Sequence, residues 1–251
     1  MMEERLILLK KMLLESDYLV ILKGIGVSME CGCTSYRRSK YAYEIEEKYG
    51  RSPEEIFSAG FYNTRVREFF EFYKNDLISS LGEINDGLKT LKKLEDMGVL
   101  KMIITRDIFS LAHRAGCKNV IELHGNVYRN YCTHCGQEYS MEYVRDGEKI
   151  PLCEKCKQAI RPDVRLFGEM VDNQVITRAA TEIQKADVLL VLGTNLKSYL
   201  CTQLLDYYEG DKLLLISKEQ HFSDKFADIY WNSRVDDALD KIITEMEKNN
   251  E

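Results

Sequence analysis

The sequence has no apolar run of about 18 residues, the length that a membrane-spanning helix requires, so we expect no membrane segment. It contains only three prolines in 251 residues, and it shows neither a low-complexity stretch nor an internal repeat. Positive charge is not in excess, since 35 Lys and Arg face 41 Asp and Glu and give a net charge of −6. An acidic chain has no general attraction to phosphate backbones, which argues against direct nucleic-acid binding and favours basic peptide partners.

The N-terminal segment lacks the features of a secretory signal. Residues 1–15 (MMEERLILLKKMLLE) mix charged residues into a helical pattern and form no uninterrupted apolar stretch. We therefore expect a cytoplasmic protein. A reducing compartment of this kind keeps cysteine thiols available as metal ligands.

Four of the eight cysteines form two Cys-x-x-Cys pairs separated by seventeen residues. This spacing is typical of structural zinc, in which four thiolates complete a tetrahedral shell. Disulfide bonds are the alternative, which a reducing compartment disfavours. A closed shell leaves no position for substrate or water, so we predict a Zn²⁺ ion with a structural role. The predicted ligands are Cys132, Cys135, Cys153 and Cys156.

Short apolar runs, each typical of a strand buried on both faces, recur along the chain, and three of them follow helical patterns. Alternating helices and buried strands predict an α/β fold, a doubly wound parallel sheet. Two segments without such strands interrupt the pattern and predict two insertions into the sheet domain, a helical insertion (38–80) and a zinc-binding module (126–162). The sheet domain would comprise residues 1–37, 81–125 and 163–251. The expected strands lie at residues 18–23, 99–105, 186–193 and 212–217, and the expected helices include 83–97, 174–185, one that starts at Ser52-Pro53, and 61–80.

A glycine-containing loop, Gly24-Ile-Gly26-Val-Ser28, directly follows the first predicted strand. Glycines at this point let a backbone approach a pyrophosphate, and the next helix N-terminus faces its charge. Met29 stands where a third fingerprint glycine is expected, so a tight strand-to-helix turn without a ligand is the alternative. Gly193-Thr194-Asn195, after the third strand, is a second candidate cradle at the same sheet edge, where ligands of such folds bind.

In their order along the chain, several short sequence motifs resemble those of the sirtuins, the NAD-dependent protein-lysine deacylases. The resemblance covers nearly the whole chain. The resemblance implies a Rossmann-like large domain, a small zinc-and-helix domain, and a cleft in which NAD meets an acylated lysine of a protein or peptide. The matching phrases are the first glycine loop, Arg114-Ala-Gly116, Asn119-Val-Ile-Glu-Leu-His124-Gly-Asn126, Tyr128-Arg-Asn-Tyr-Cys132, Ile160-Arg-Pro-Asp-Val164, Leu166-Phe-Gly-Glu169, Ala186-Asp187 and Gly193-Thr194.

The resemblance also implies a role for individual residues. His124 would be the general base that activates a ribose hydroxyl for attack on the acyl group. Phe167, Gly168 and Glu169 resemble a segment that pairs with the substrate backbone as an added strand, and Val164 and Arg165 would also contact substrate. The implied NAD-binding residues are Gly24, Gly26, Ser28, Tyr36, Arg37, Arg106, Asp107, Gly193, Thr194, Asn195 and Ser217.

Departures from the family pattern cluster at the cofactor. Ile25 replaces the alanine of Gly-Ala-Gly, and the family's Thr-Gln-Asn-Ile-Asp becomes Thr105-Arg-Asp-Ile-Phe109. In the family, the Asn and Asp of this phrase bind the ribose side and the nicotinamide amide, whereas a phenyl ring accepts no hydrogen bond. Two functions therefore stay open: a deacylase that transfers the acyl group to ADP-ribose and releases nicotinamide, or a degenerate member that binds NAD or ADP-ribose as a sensor or scaffold without efficient turnover.

Overall fold

The computed structural model describes residues 2–35 and 39–248, so the predicted contacts of Tyr36 and Arg37 lie outside the described residues. Its centre is a six-stranded sheet in the order β3-β2-β1-β7-β8-β9, and every neighbouring pair in it is parallel. A second sheet has three antiparallel strands in the order β5-β4-β6 and shares no strand with the first. The strands are β1 (Leu19–Lys23), β2 (Leu100–Thr105), β3 (Val120–Glu122), β4 (Gly125–Cys132), β5 (Glu138–Ser140), β6 (Ile160–Val164), β7 (Val188–Leu192), β8 (Lys212–Ser217) and β9 (Ile229–Asn232).

Helices connect the parallel strands, as the alternating pattern predicts. The helices are α1 (Met2–Leu14), α2 (Ile25–Glu30), α3 (Ser39–Tyr49), α4 (Pro53–Ile56), α5 (Ala59–Thr64), α6 (Val66–Phe72), α7 (Asp86–Asp96), α8 (Leu111–Arg114), α9 (Met141–Asp146), α10 (Asn173–Gln184), α11 (Tyr199–Leu204) and α12 (Val235–Lys248). Within the described ranges, no helix combines the length and the hydrophobicity that crossing a membrane requires.

Strand β1 is buried on both faces of the large sheet. Leu19 and Ile21 pack into the core on one side, whereas Val20 and Leu22 pack into a second core on the other. Strand β7 alternates in the same way between the two cores. Because helices cover both faces, these central strands read as continuous apolar runs, and the prediction of a doubly wound sheet is confirmed.

The prediction of one helix over residues 61–80 is wrong. The segment breaks at Arg65, whose backbone (φ −138°, ψ 49°) is not helical, and after α6 it continues as a π-helix over Tyr73–Leu77 and a 3₁₀ turn over Ile78–Ser80. The apolar residues continue across the break, since Phe61, Phe69, Phe70 and Tyr73 are all buried. A continuous apolar pattern therefore does not reveal where the backbone leaves the helix.

Candidate active site

Strands β1 and β7 are adjacent at the centre of the sheet, although most of the chain separates them in sequence. Strand order reverses between them, because β2 and β3 lie on one side and β8 and β9 on the other. Ligands of open α/β sheets bind outside the carboxyl ends of strands at such a switch point. Both candidate glycine loops follow these two strands.

The two glycine loops pack directly against each other. Gly24 N donates to Leu192 O at 2.8 Å, and Gly26 N donates to Gly193 O at 2.8 Å. A Cβ atom on Gly26 would lie 2.5 Å from Gly193 O, and one on Gly24 would lie 2.5 Å from the Thr194 Cβ. The glycines are therefore required by the contact between the loops, and both the tight turn and the cofactor cradle remain compatible with them.

A cavity of about 440 Å³ opens on one side of the joined loops. It brings together five predicted NAD-binding residues: Gly26, Gly193, Thr194, Asn195 and Ser217. The sequence analysis did not predict several polar and charged residues on the wall of this cavity. Lys218 and Glu219 directly follow β8, and this position after a buried strand could have indicated them. These further lining residues are Glu30, Lys218, Glu219, His221 and Arg234.

A second cavity, of about 200 Å³, shares Ile25 and Thr194 with the first, and we name it the base cavity. The half-buried His124 lines it, and its Nε2 accepts a hydrogen bond from Arg106 Nε at 3.1 Å. The Arg106 guanidinium in turn lies 4.2 Å from the centre of the Tyr199 ring. The lone pair of His124 Nε2 is thus directed at Arg106. The lining residues are Lys23, Gly24, Ile25, Ser35, Arg106, Asp107, His124, Thr194, Ser198, Tyr199 and Leu200.

An ion pair between Lys23 and Asp107 is buried at the wall of this cavity, with side chains that are 0% and 1% exposed. Lys23 Nζ also donates to Ser28 Oγ at 3.2 Å, and Thr105 Oγ1 donates to Asp107 Oδ2 at 3.0 Å. Burial by itself raises the pKa of the Asp107 carboxyl, but the Lys23 charge and the hydrogen bonds outweigh burial and hold that pKa below its usual value. Asp107 is therefore an internal counter-ion.

Ser28, from the predicted cofactor set, and Phe109, named above as a departure from the family pattern, both point into the protein. Ser28 is fully buried, and its hydroxyl joins the Lys23–Asp107 network. Phe109 is only 3% exposed and packs in the core, while its backbone N–H donates to Asp107 Oδ1 at 3.0 Å. The sequence showed Lys23 as a charge at the end of an apolar run, but it did not show that Asp107 would be its partner.

The predicted substrate segment is tied to the helical insertion. Phe167 N donates to Phe57 O and Phe167 O accepts from Ala59 N, both at 3.0 Å. The insertion thus uses both backbone groups of Phe167, and the pairing of this segment with a substrate strand stays a prediction. Gly168 remains exposed with φ +88°, and Glu169 is fixed by Arg161. The Val164 side chain is buried, and Arg165 N donates to His124 O at 2.9 Å, which places this segment beside the base.

The four predicted zinc ligands converge. All four Sγ atoms lie within 4.8 Å of one another, with separations of 3.3 Å (Cys132 to Cys156) and 3.5 Å (Cys135 to Cys153). Tetrahedral zinc with Zn–S bonds of about 2.3 Å holds its sulfur atoms about 3.8 Å apart, so the cluster fits this ion. The two turns repeat each other: Gly136 N donates to Cys132 O and Lys157 N donates to Cys153 O, and both donor residues have left-handed backbones.

Comparison with known proteins agrees with this geometry. A model described as the Sir2 family matches residues 24–199. An NAD-dependent protein deacetylase of Clostridium acetobutylicum is 37% identical over 236 residues, which are 94% of this chain and 96% of that protein. The deacetylase of the same name from Clostridium perfringens is 37% identical over 243 residues, which are 96% of this chain and 100% of the relative.

Solved structures share the whole fold. One described as "The Structural basis of Sirtuin Substrate Affinity" is 30% identical, with a TM-score of 0.85 over 94% of this chain and 96% of that one. The structure of Sir2Tm bound to a propionylated peptide is 28% identical, with a TM-score of 0.80 over 98% of each chain. With the fold, the glycine loops, the histidine and the cysteine cluster in the same chain, this protein belongs to the Sir2 family, the sirtuins.

Proposed function

We propose that this protein is an NAD-dependent protein-lysine deacetylase, and that His124 is its general base. The observation that carries the proposal is the position of His124, which lines the base cavity together with Gly24 and Thr194 of the two glycine loops. Its Nε2 accepts a hydrogen bond from Arg106 Nε, which orients the ring. An imidazole next to a dinucleotide cradle suits proton removal from a ribose hydroxyl, once the ligand displaces the Arg106 contact.

The two cavities support an extended arrangement of the dinucleotide. The pyrophosphate would cross the joined glycine loops, the adenosine would occupy the 440 Å³ cavity, and the nicotinamide riboside would enter the base cavity. When bound, NAD would supply the ribose that accepts the acyl group, and His124 would take the proton from a ribose hydroxyl. In this arrangement Glu219 and Ser217 are placed to accept and donate hydrogen bonds at the adenosine end.

An acylated lysine of a protein or peptide is the proposed second substrate. Arg165 N donates to His124 O, so the segment from Val164 to Glu169 runs from the base towards the surface. Gly168 and Met170 are exposed there, and Met170 is 82% accessible, which offers backbone and apolar contacts to an extended peptide. In the solved structures, Sir2Tm is bound to a propionylated peptide.

We also propose that the cysteine cluster holds one structural Zn²⁺. The fit of the sulfur spacing supports this, as does the exposure of His134, which lies outside the cluster. The division into a sheet domain and a small domain belongs to the same proposal and is supported by the two separate sheets. Free thiols at a metal spacing further favour a reducing, cytoplasmic location.

Incubation with NAD and an acetyl-lysine peptide tests the proposed activity. We expect the peptide to lose the mass of an acetyl group only when NAD is present, and we expect the product to carry that group on ADP-ribose. Binding of NAD without any loss from a panel of acylated peptides would instead support the sensor or scaffold function, which the engagement of Asp107 and the burial of Phe109 favour over ordinary nicotinamide handling.

A further inference from the structure

A tyrosine hydroxyl lies against the cysteine cluster. In each turn, the sulfur of the first cysteine accepts hydrogen bonds from the backbone N–H groups two and three residues further along the chain. Cys153 Sγ accepts one more, from the Tyr139 hydroxyl at 3.2 Å. Because Cys153 is fully buried, water is poorly placed to replace this donor if it is lost.

The direction of the Tyr139 hydrogen bond follows from its two ends. Glu154 N donates to Tyr139 Oη at 2.8 Å, so the hydroxyl proton is available for the sulfur. A cysteine that binds zinc is a thiolate, which has no proton and can only accept. The hydroxyl of Tyr139 therefore donates to Cys153, and a bound ion strengthens this contact because the acceptor is then charged.

Tyr139 also connects the two cysteine turns. It lies on β5, which closely follows the first turn, and it pairs with Asn130 of β4. Its hydroxyl reaches Cys153 and Glu154, which belong to the second turn. The Tyr143 ring packs against the Tyr139 ring with 4.6 Å between their centres, which limits the positions that Tyr139 can take. A single side chain thus holds the two halves of the cluster together.

We propose that Tyr139 is a positioning residue of the metal centre, and that its hydroxyl orients the Cys153 thiolate and opposes loss of the ion. The inference rests on the proposed Zn²⁺ site. Hydrogen-bond partners of metal ligands fix the orientation of the ligand, and their removal typically weakens metal binding by about 10- to 100-fold. The variant Tyr139→Phe keeps the ring and removes only the hydroxyl, so we expect it to bind zinc about tenfold more weakly.

Tyr143→Phe is the matched control. It makes the same change in the adjacent ring, but the Tyr143 hydroxyl donates to Leu152 O at 2.9 Å and not to a sulfur. Competition with a chelating dye measures the zinc affinity of wild type and both variants. Absorption spectra of the Co²⁺-substituted proteins report on the thiolate itself, because a thiolate that loses a hydrogen bond gives a sulfur-to-cobalt charge-transfer band of lower energy.

We expect weaker zinc binding and a charge-transfer band at lower energy in Tyr139→Phe, and wild-type behaviour of Tyr143→Phe in both measurements. An unchanged zinc affinity in Tyr139→Phe, an unshifted band, or an equal loss of affinity in Tyr143→Phe would overturn the inference. If wild type then still binds one zinc per chain, only the inference fails. A wild type that binds no zinc would overturn the proposed zinc site and the inference together.

Discussion

At the residue scale, Lys23 and Asp107 form the most consequential pair in the molecule. Each side chain is withdrawn from water, and a buried charge is tolerated only when it is paired and hydrogen-bonded. Ser28 and Thr105 complete the shell of hydrogen bonds around them. The pair joins the ends of β1 and β2. Arg106, which lies between Thr105 at the end of β2 and Asp107, contacts His124.

Removing one member of the pair should therefore be much worse than removing both. We expect Lys23→Met to lower the free energy of unfolding by about 3–5 kcal/mol, because an unpaired carboxylate is left buried. The Lys23→Met/Asp107→Asn variant should be close to wild type. Urea unfolding of wild type, Lys23→Met, Asp107→Asn and the double variant measures the cycle, and a loss in the double variant equal to the sum of the two single losses would show that the charges are not coupled.

The same pair predicts a pH dependence of stability. The pKa of Asp107 is lowered in the folded protein, so its contribution is fully present above the unfolded value of about 3.9 and is lost as the pH falls through the folded value. We expect the difference in unfolding free energy between wild type and the double variant to be constant above about pH 5 and to move against wild type below about pH 4. A difference that does not change down to acid unfolding would contradict this assignment.

His124 should be required for turnover and not for folding. His124→Ala removes the base from a half-buried position at the cavity, so we expect deacetylation to fall by roughly 10²-fold or more with an unchanged melting temperature. Steady-state assays and thermal unfolding check the two parts separately. Wild-type turnover by this variant would remove His124 from the mechanism.

Individual site residues could be predicted only where they belong to a short sequence motif. The glycines and His124 stand in recognisable phrases, and the structure brings them to the same edge of the sheet. The partnership of Lys23 with Asp107 spans 84 positions and depends on how two strands end side by side. No local pattern encodes such a contact.

At the element scale, the two glycine loops act as a unit because each fills the space that a side chain would need in the other. We expect Gly26→Ala to destabilise the protein and to weaken NAD binding, since the new Cβ would meet Gly193 O at 2.5 Å. Gly60→Ala is the control: it lies in α5 with nothing within 4 Å, and it should be neutral or slightly stabilising. Calorimetric titration with NAD and thermal unfolding measure both effects. Equal behaviour of the two variants would contradict the packing explanation.

The zinc module should depend on its ion, because metal binding there also supplies folding energy. We expect one zinc per chain, and we expect Cys153→Ser to lose zinc and to expose the small domain to proteolysis. Cys201→Ser, a buried thiol outside the cluster, should retain the metal. Metal analysis of the purified proteins provides the measurement, and a well-folded wild type with far less than one zinc would refute the assignment.

Elements were predictable where burial imposes a period, and not elsewhere. The apolar runs at β1, β2, β7 and β8 predict strands within one or two residues of their observed bounds. Strand β9 is only four residues long, too short to stand out as a run. The prediction for the helical insertion was wrong because its apolar residues continue across the break at Arg65, so the pattern does not mark the end of a helix there.

At the scale of the whole molecule, two cavities adjoin the glycine loops at the carboxyl edge of the large sheet. The 440 Å³ cavity and the base cavity share Thr194 and Ile25 on their walls. The proposed substrate segment contacts His124 through Arg165 N, and the backbone of its Phe167 is hydrogen-bonded to Phe57 and Ala59. A dinucleotide bound across the loops would therefore present its glycosidic end to the base and to the acyl-lysine at the same place.

Coupling between cleavage of NAD and deacylation tests this account most directly. We would quantify nicotinamide and deacetylated peptide released by the wild-type protein in the same reaction, with and without the acetyl-lysine peptide. The account predicts one nicotinamide for each lysine deacetylated and almost none without peptide. Deacetylation without NAD, or nicotinamide release that ignores the peptide, would contradict it.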